Sequence, residues 1–301
     1  MAAQNRPWMW AAVVSIVLAA AVVVRLARPT LDAPSLGGAA DTVQRTRAAE
    51  EGASGDAIRG FALLNNFRDS LPTHSGNRLR CTSCHLDNGS RPNAMPWLAT
   101  TGRYPRYRER PGTEETLARR VNECIARSLA GKMLPEAGAD MRDMLAAIGT
   151  LRDTPRPPDA RVIKVSGDSE AGAGAYAAEC ARCHGAAGEG TTLAPAVWGI
   201  DSYSVGAGLA RQYSLATFLR HNMPHDKPSS LSDQAAANIA AFVLSQPRQD
   251  HPGKERDWPN GDAPADVAYA TQGATSKGRA APLERPLLAR RVNPDSTTSP
   301  R

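Results

Sequence analysis

Apolar positions along the chain fall into short stripes at helical spacing, separated by Gly-, Pro- and Arg-rich stretches without period. The first stripe starts after Asp56, with Ile58, Phe61, Leu64 and Phe67 about a turn apart, and stops at Leu71 and Pro72. The second carries Leu117, Val121, Ile125 and Leu129. Thr113, followed by Glu114 and Glu115, reads as its N-cap with an acidic first turn, and Gly131 as its end. The third has Met141, Met144, Leu145, Ile148 and Leu151 at its apolar positions, and a Pro-rich stretch over 154–159 follows as the candidate boundary. Beyond it the plan repeats. A helix runs into Cys180, a Gly/Pro-rich loop holds Pro195 and Trp198, and a short amphipathic segment ends near Met223. A last helix starts near Ser232, with Ile239, Phe242 and Val243 inward, and ends before Pro247. Alternation of β-branched residues is nearly absent, so the pattern predicts an all-α chain of two tandem units with little or no sheet.

These stripes divide the chain into a leader (1–28), a linker (29–55), a first helical domain (56–153), a second linker (154–164), a second helical domain (165–262) and an extended, disordered tail (263–301). In the leader, Arg6 precedes an apolar run over residues 8–24, of a length between a signal peptide and a spanning helix. Either reading, a cleaved signal or a membrane anchor through 8–24, exports the remainder, which predicts a periplasmic protein. The formal charge of +6 is concentrated at the ends. Arg6, Arg25 and Arg28 face no acid in the leader, and the basic residues of the tail outnumber Asp266, Glu284 and Asp295. The middle is near neutral and has no basic stripe, so nucleic acid is not an expected partner.

Of five cysteines, four form two Cys-x-x-Cys-His motifs, Cys81/Cys84/His85 and Cys180/Cys183/His184. In such a motif both thiols bond to haem vinyl groups as thioethers, and the adjacent imidazole reaches the iron. A thioredoxin-like pair or half a zinc site shares the thiol spacing. Two occurrences, each closed by histidine on a helical segment of an exported chain, favour two covalent haem c groups. The fold class expected is therefore all-α, two tandem cytochrome c-type haem domains.

Methionine is the usual distal ligand of an electron-transfer haem. In the second unit Met223 stands in the loop before the final helix, with His221 and His225 as competitors. The interval from Cys180 to Met223 equals that from Cys81 to Cys124, the unpaired cysteine. Met133 is the alternative sulfur for the first haem, with Cys124 then a small buried hydrophobe. Arg120, Cys124 and Ser128 share one helix face, and a guanidinium one turn away favours the thiolate. Arg110 adds a second positive group from the preceding loop.

The stretches CTSCHLDNG (81–89), YPRYRER (104–110), RRVNECIARSLAGKMLP (119–135) and CARCHGAAGEG (180–190) resemble thiosulfate dehydrogenases of the TsdA type. So do PAVWG (195–199), GAGLAR (206–211), NMP (222–224) and HPGKERDWPNGDAPADVAY (251–269), so the resemblance spans roughly 56–269. It implies oxidative coupling of two thiosulfates to tetrathionate, with some members favouring the reverse. It also implies a catalytic haem held by Cys81 and Cys84 with His85 and Cys124 as axial ligands. Arg110, Arg120 and Ser128 fall on the family's active-site residues. The haem on Cys180 and Cys183, with His184 and Met223, resembles the electron-exit haem, which passes electrons to a small acceptor cytochrome. Two competing readings are a dihaem electron carrier without a substrate site and a sulfur-carrier subunit of a multi-protein thiosulfate-oxidising system.

Overall fold

A computed structural model describes residues 55–277 and 287–288; the expected leader and most of the first linker lie outside the described residues. The first helix, α1 (Ala57–Asn65), is opened by Asp56, whose carboxylate accepts from the backbone N–H groups of Ile58 and Arg59. A short helix, α2 (Phe67–Ser70), continues it. Leu63, Leu64 and Phe67 are buried, but Ile58 is 84% exposed. This corrects the expected stripe: Ile58 sits on the solvent side of the first turn, away from the face that meets the partner helix. That partner is α4 (Ala139–Gly149), which buries Met141, Met144 and Ile148. The helices cross at Gly60, where an added Cβ would overlap the Asp143 carbonyl, and the Asp56 N–H donates to Asp143 Oδ1 at 2.8 Å.

The same device recurs downstream. Helix α5 (Ser169–Glu179) is capped by Asp168 and crosses α8 (Asp233–Ser245), itself capped by Ser232. Gly172 lies at this crossing against the Asn238 carbonyl, and the Asp168 N–H donates to Asn238 Oδ1 at 2.9 Å. A one-turn helix, α6 (Ala181–His184), and α7 (Gln212–Asn222) complete the second set. Close approach of two backbones requires a residue without Cβ at the contact. Gly172→Val is expected to cost about 2–3 kcal/mol by overpacking. A thermal melt of the purified protein should then fall by roughly 5–10 °C.

Between α2 and α4 the structure departs from the all-helical expectation. Residues Arg106–Arg108 (β1) and Thr113–Glu115 (β2) pair antiparallel, with Arg106 opposite Glu115 and Arg108 opposite Thr113. Thr113 is thus a strand residue and not a cap. The cap is Thr116, three residues later, whose Oγ1 accepts from the Arg119 N–H at 3.1 Å and opens the helix α3 (Leu117–Arg127). It ends at Ser128, earlier than the expected stop at Gly131.

The tail is also corrected. Ala263 and Val267 pack on Trp258, and Asp266 accepts from Arg211 Nε at 3.1 Å and from the Tyr213 N–H at 2.8 Å. Helix α9 (Gln272–Ser276) follows a Thr271 cap. Leu287–Leu288 (β4) pairs in parallel with Arg248–Gln249 (β3). Isolated apolar residues among prolines carry no period, so their docking is invisible to pattern reading. Among the described residues no helix is long and apolar enough to cross a membrane.

Candidate functional site

A cavity of about 380 Å³ opens between α3, the β1 strand and the loop after α2. Cys81, Cys84, His85 and Cys124 all line it, within a wall of apolar side chains that includes Leu64, Leu79, Val121 and Ile125. The His85 Nδ1–H donates to the Met95 carbonyl, which fixes the tautomer and leaves Nε2 for the cavity. Met133 does not line the cavity and is 38% exposed, whereas Cys124 lines it.

Helix α3 delivers Arg120, Cys124 and Ser128 to one wall, as their spacing predicts. Arg120 Nη1 donates to Cys124 Sγ at 3.1 Å. Burial alone would raise the Cys124 thiol, but the Arg120 guanidinium and then the neighbouring His85 bring it down to about 7. The neighbouring thiols have no such help, and burial pushes Cys81 and Cys84 up to about 12. Cys124 is thus the most acidic of the three thiols.

The back of α3 is fixed by charge. Arg127 forms a bidentate pair with Asp257 at 2.9 and 2.8 Å and bonds Glu123 at 2.5 Å, and Tyr269 Oη donates to Asp257 at 2.6 Å. The Arg127 carbonyl accepts from Ser204 Oγ at 2.6 Å, and Asn77 donates to the carbonyls of Ser128 and Ser202. Arg110, expected in the site, does not line the cavity. Its Nη1 donates to the Gly206 carbonyl at 2.6 Å and its guanidinium lies over the Trp258 ring, 4.5 Å from the centroid.

The wall also holds residues that helical pattern reading missed. Arg106 and Arg108 both reach it, while Tyr107 between them is 50% exposed. The alternation in YPRYRER is a strand signal, readable only by testing a period of two. Tyr203 and Leu209 reach the same cavity from the second half of the chain, with no local signal at all.

Around the second motif the same hydrogen-bond plan returns. His184 Nδ1 donates to the Pro195 carbonyl at 2.7 Å, as His85 does to Met95. The Val197 N–H donates to the Gly188 carbonyl at 2.9 Å, as Trp97 does to Gly89 at 2.8 Å. A Cβ on Gly188 would strike Trp198, and one on Gly89 would strike Trp97. Burial pushes the Cys180 thiol up to about 11 and lowers the His184 imidazole. Met223 is half-buried in the apolar cluster that also takes in Cys180 and Trp198. His225 is exposed beside Arg91, and His221 Nε2 is buried without a partner.

A planar macrocycle fits the first cavity on the chemistry of its donors. Two neutral thiols are set for thioether bonds, an imidazole is held by its far nitrogen, and a polarised sulfur shares the same apolar slot. The five cysteines form no disulfide. Fold and site together define a c-type cytochrome. Residues 167–243 match the family described as cytochrome c oxidase, cbb3-type, subunit III. The thiosulfate dehydrogenase of Psychrobacter arcticus is 41% identical over 223 residues, covering 69% of this chain and 68% of that relative. That of Allochromatium vinosum is 36% identical over 228 residues, covering 69% and 84%. Among solved structures, thiosulfate dehydrogenase (TsdBA) from Marichromatium purpuratum in its as-isolated form matches with a TM-score of 0.61 and 30% identity. The match covers 65% of this chain and 47% of that one, so this chain spans about half its length. The chain belongs to the thiosulfate dehydrogenase family, oxidoreductases built on cytochrome c.

Proposed function

We propose that the chain is a two-haem cytochrome that couples two thiosulfates to tetrathionate, in either direction, at the cavity containing Cys124. The observation that carries this reading is the contact of Arg120 Nη1 with Cys124 Sγ, 3.1 Å apart, on the wall shared with the Cys81/Cys84/His85 motif. A thiolate held by a guanidinium beside a redox group has no role in a plain electron carrier. Thiosulfate is a small dianion, and guanidiniums bind such oxyanions through charge-assisted hydrogen bonds.

Cys81 and Cys84 would hold the first haem, with His85 and Cys124 as the groups offered to its iron; Cys180 and Cys183 would hold the second, with His184 and Met223. Bound haem c supplies one-electron acceptor chemistry at each place. Cys124 is the nucleophile: its thiolate bonds the sulfane sulfur of one thiosulfate as two electrons are given up. The sulfane sulfur of a second thiosulfate then attacks the sulfur bound to Cys124, Cys124 Sγ leaves as thiolate, and tetrathionate departs. Arg120 and Ser128 hold the first sulfonate, and Arg110 adds positive charge from behind the wall. The two halves, roughly 56–153 and 165–262, each hold one haem. Electrons leave by the second site for a small acceptor cytochrome, in the periplasm or at its membrane face.

Purified holoprotein supplied with thiosulfate and an artificial oxidant should yield one tetrathionate per two electrons taken up. No turnover in either direction would sink the reading in favour of a carrier or a partner-dependent subunit. Met223→Leu is expected to leave haem content unchanged and to lower the potential of the second haem, because a thioether sulfur ligand raises it. A redox titration of both haems checks this, and an unmoved potential would remove Met223 from the iron.

A further inference from the structure

Joining two thiosulfates brings two dianions together sulfur to sulfur, and their repulsion is stronger in an enclosed cavity than in water. The site therefore needs positive charge at both ends of the product. Arg120 is already committed to Cys124 Sγ and serves the first end. Arg156, also on the wall, is paired with Asp159 at 2.6 Å.

Arg106 and Arg108 are differently placed. They lie at alternate positions of β1 and both line the cavity. Arg106 Nε is shut away from water with no hydrogen-bond partner, and its guanidinium lies 5.6 Å from the centre of the Tyr104 ring. Arg108 Nε reaches Glu115 only at 4.0 Å, the edge of an ion pair. Burial raises that carboxyl toward its neutral form. Burial first, and then the nearby Arg120 charge, lower the Arg108 guanidinium, so three cationic groups share one wall. Because β2 ends at the residue before the Thr116 cap, the hairpin and α3 are tied together, which holds this cluster against the Cys124 face.

We propose that Arg108, with Arg106 beside it, forms a second anion position that holds the sulfonate of the incoming second thiosulfate. It rests on the dehydrogenase reading above. This position holds the far end of tetrathionate at the moment the new S–S bond forms and Cys124 Sγ leaves. No electron is exchanged in that displacement: the thiosulfate dianion and the thiosulfonate on Cys124 (Sγ–S–SO3−) become the tetrathionate dianion and the Cys124 thiolate.

The test uses the purified holoprotein with Arg108→Gln and Arg108→Lys. The half-saturating thiosulfate concentration should rise about tenfold or more in the glutamine variant, since a charged hydrogen bond is lost. The lysine variant should recover part of it. Loading of Cys124 with a single thiosulfate under an artificial oxidant, read by intact mass, should be unchanged, as should the potentials of both haems. Unaltered kinetics would overturn the proposal. So would loss of Cys124 loading, which would put Arg108 at the first position. A shifted first-haem potential would overturn it too, assigning these arginines to the haem carboxylates. If the parent protein itself fails to turn over in either direction, the dehydrogenase reading falls and this position with it.

Discussion

Cys124→Ala is expected to lose thiosulfate turnover by at least ~10³-fold while keeping its haem, since removing a covalent nucleophile removes the step itself. Cys81, Cys84, Cys180 and Cys183, the proposed thioether sites, are untouched by the change, so haem content, read from the absorbance of the pyridine adduct, should match the parent. The physical basis is local. Arg120 Nη1 lies 3.1 Å from Cys124 Sγ, and that charge with His85 overcomes the burial that keeps Cys81 and Cys84 neutral. Alanine leaves Arg120 without its sulfur partner but adds no bulk, so the fold should survive. On the proposed ligand set the variant's first haem also loses a thiolate, so its potential should move upward and its absorption change. Equal tetrathionate formation by parent and variant would remove Cys124 from the mechanism.

Arg127→Met is expected to be the most destabilising single change at the site, by about 3–5 kcal/mol, because it strands buried carboxylates. Arg127 is the shared cation of Glu123 and Asp257, whose side chains are 13% and 5% exposed. Removing it leaves two carboxylates and the Tyr269 hydroxyl around a space that once held positive charge. Asp257→Asn should cost less, since Glu123 still balances Arg127 and an amide can keep part of the hydrogen bonding. Chemical denaturation of the holoproteins, with midpoints compared at equal slope, checks both. The order matters more than the size. If Asp257→Asn proved the more damaging, the balance of charge around Arg127 would not be what holds the Trp258 segment to α3.

Much of the site was legible because it is built from short-range geometry. The two Cys-x-x-Cys-His motifs need one turn of chain each, and Arg120, Cys124 and Ser128 meet because residues four apart share a helix face. The caps at Asp56, Asp168 and Ser232 close bonds two or three residues away, so helix starts near them follow from the local sequence. Thr113 misled because threonine followed by acids suits a cap and a strand alike. Its pairing with Arg108 across the hairpin decided the matter. Arg110 shows the limit of local reading: its charge and position suit an oxyanion site, and only the fold places its guanidinium on the Gly206 carbonyl and the Trp258 ring, behind the cavity wall.

By itself the sequence determined that this is a helical c-type cytochrome, where its thiols and imidazoles stand, and which helix face carries Cys124. Those properties rest on bonds and spacings within a turn or two of chain. Tertiary structure alone decided that Met133 is turned away and that Arg106 and Arg108 join Arg120 at one wall. It also decided that Tyr203 and Leu209 close the cavity from the far half and that Ala263 and Val267 dock on Trp258. Such contacts join residues far apart in the chain. They are selected by how whole elements pack and by which buried charges find partners, and no local period records either choice.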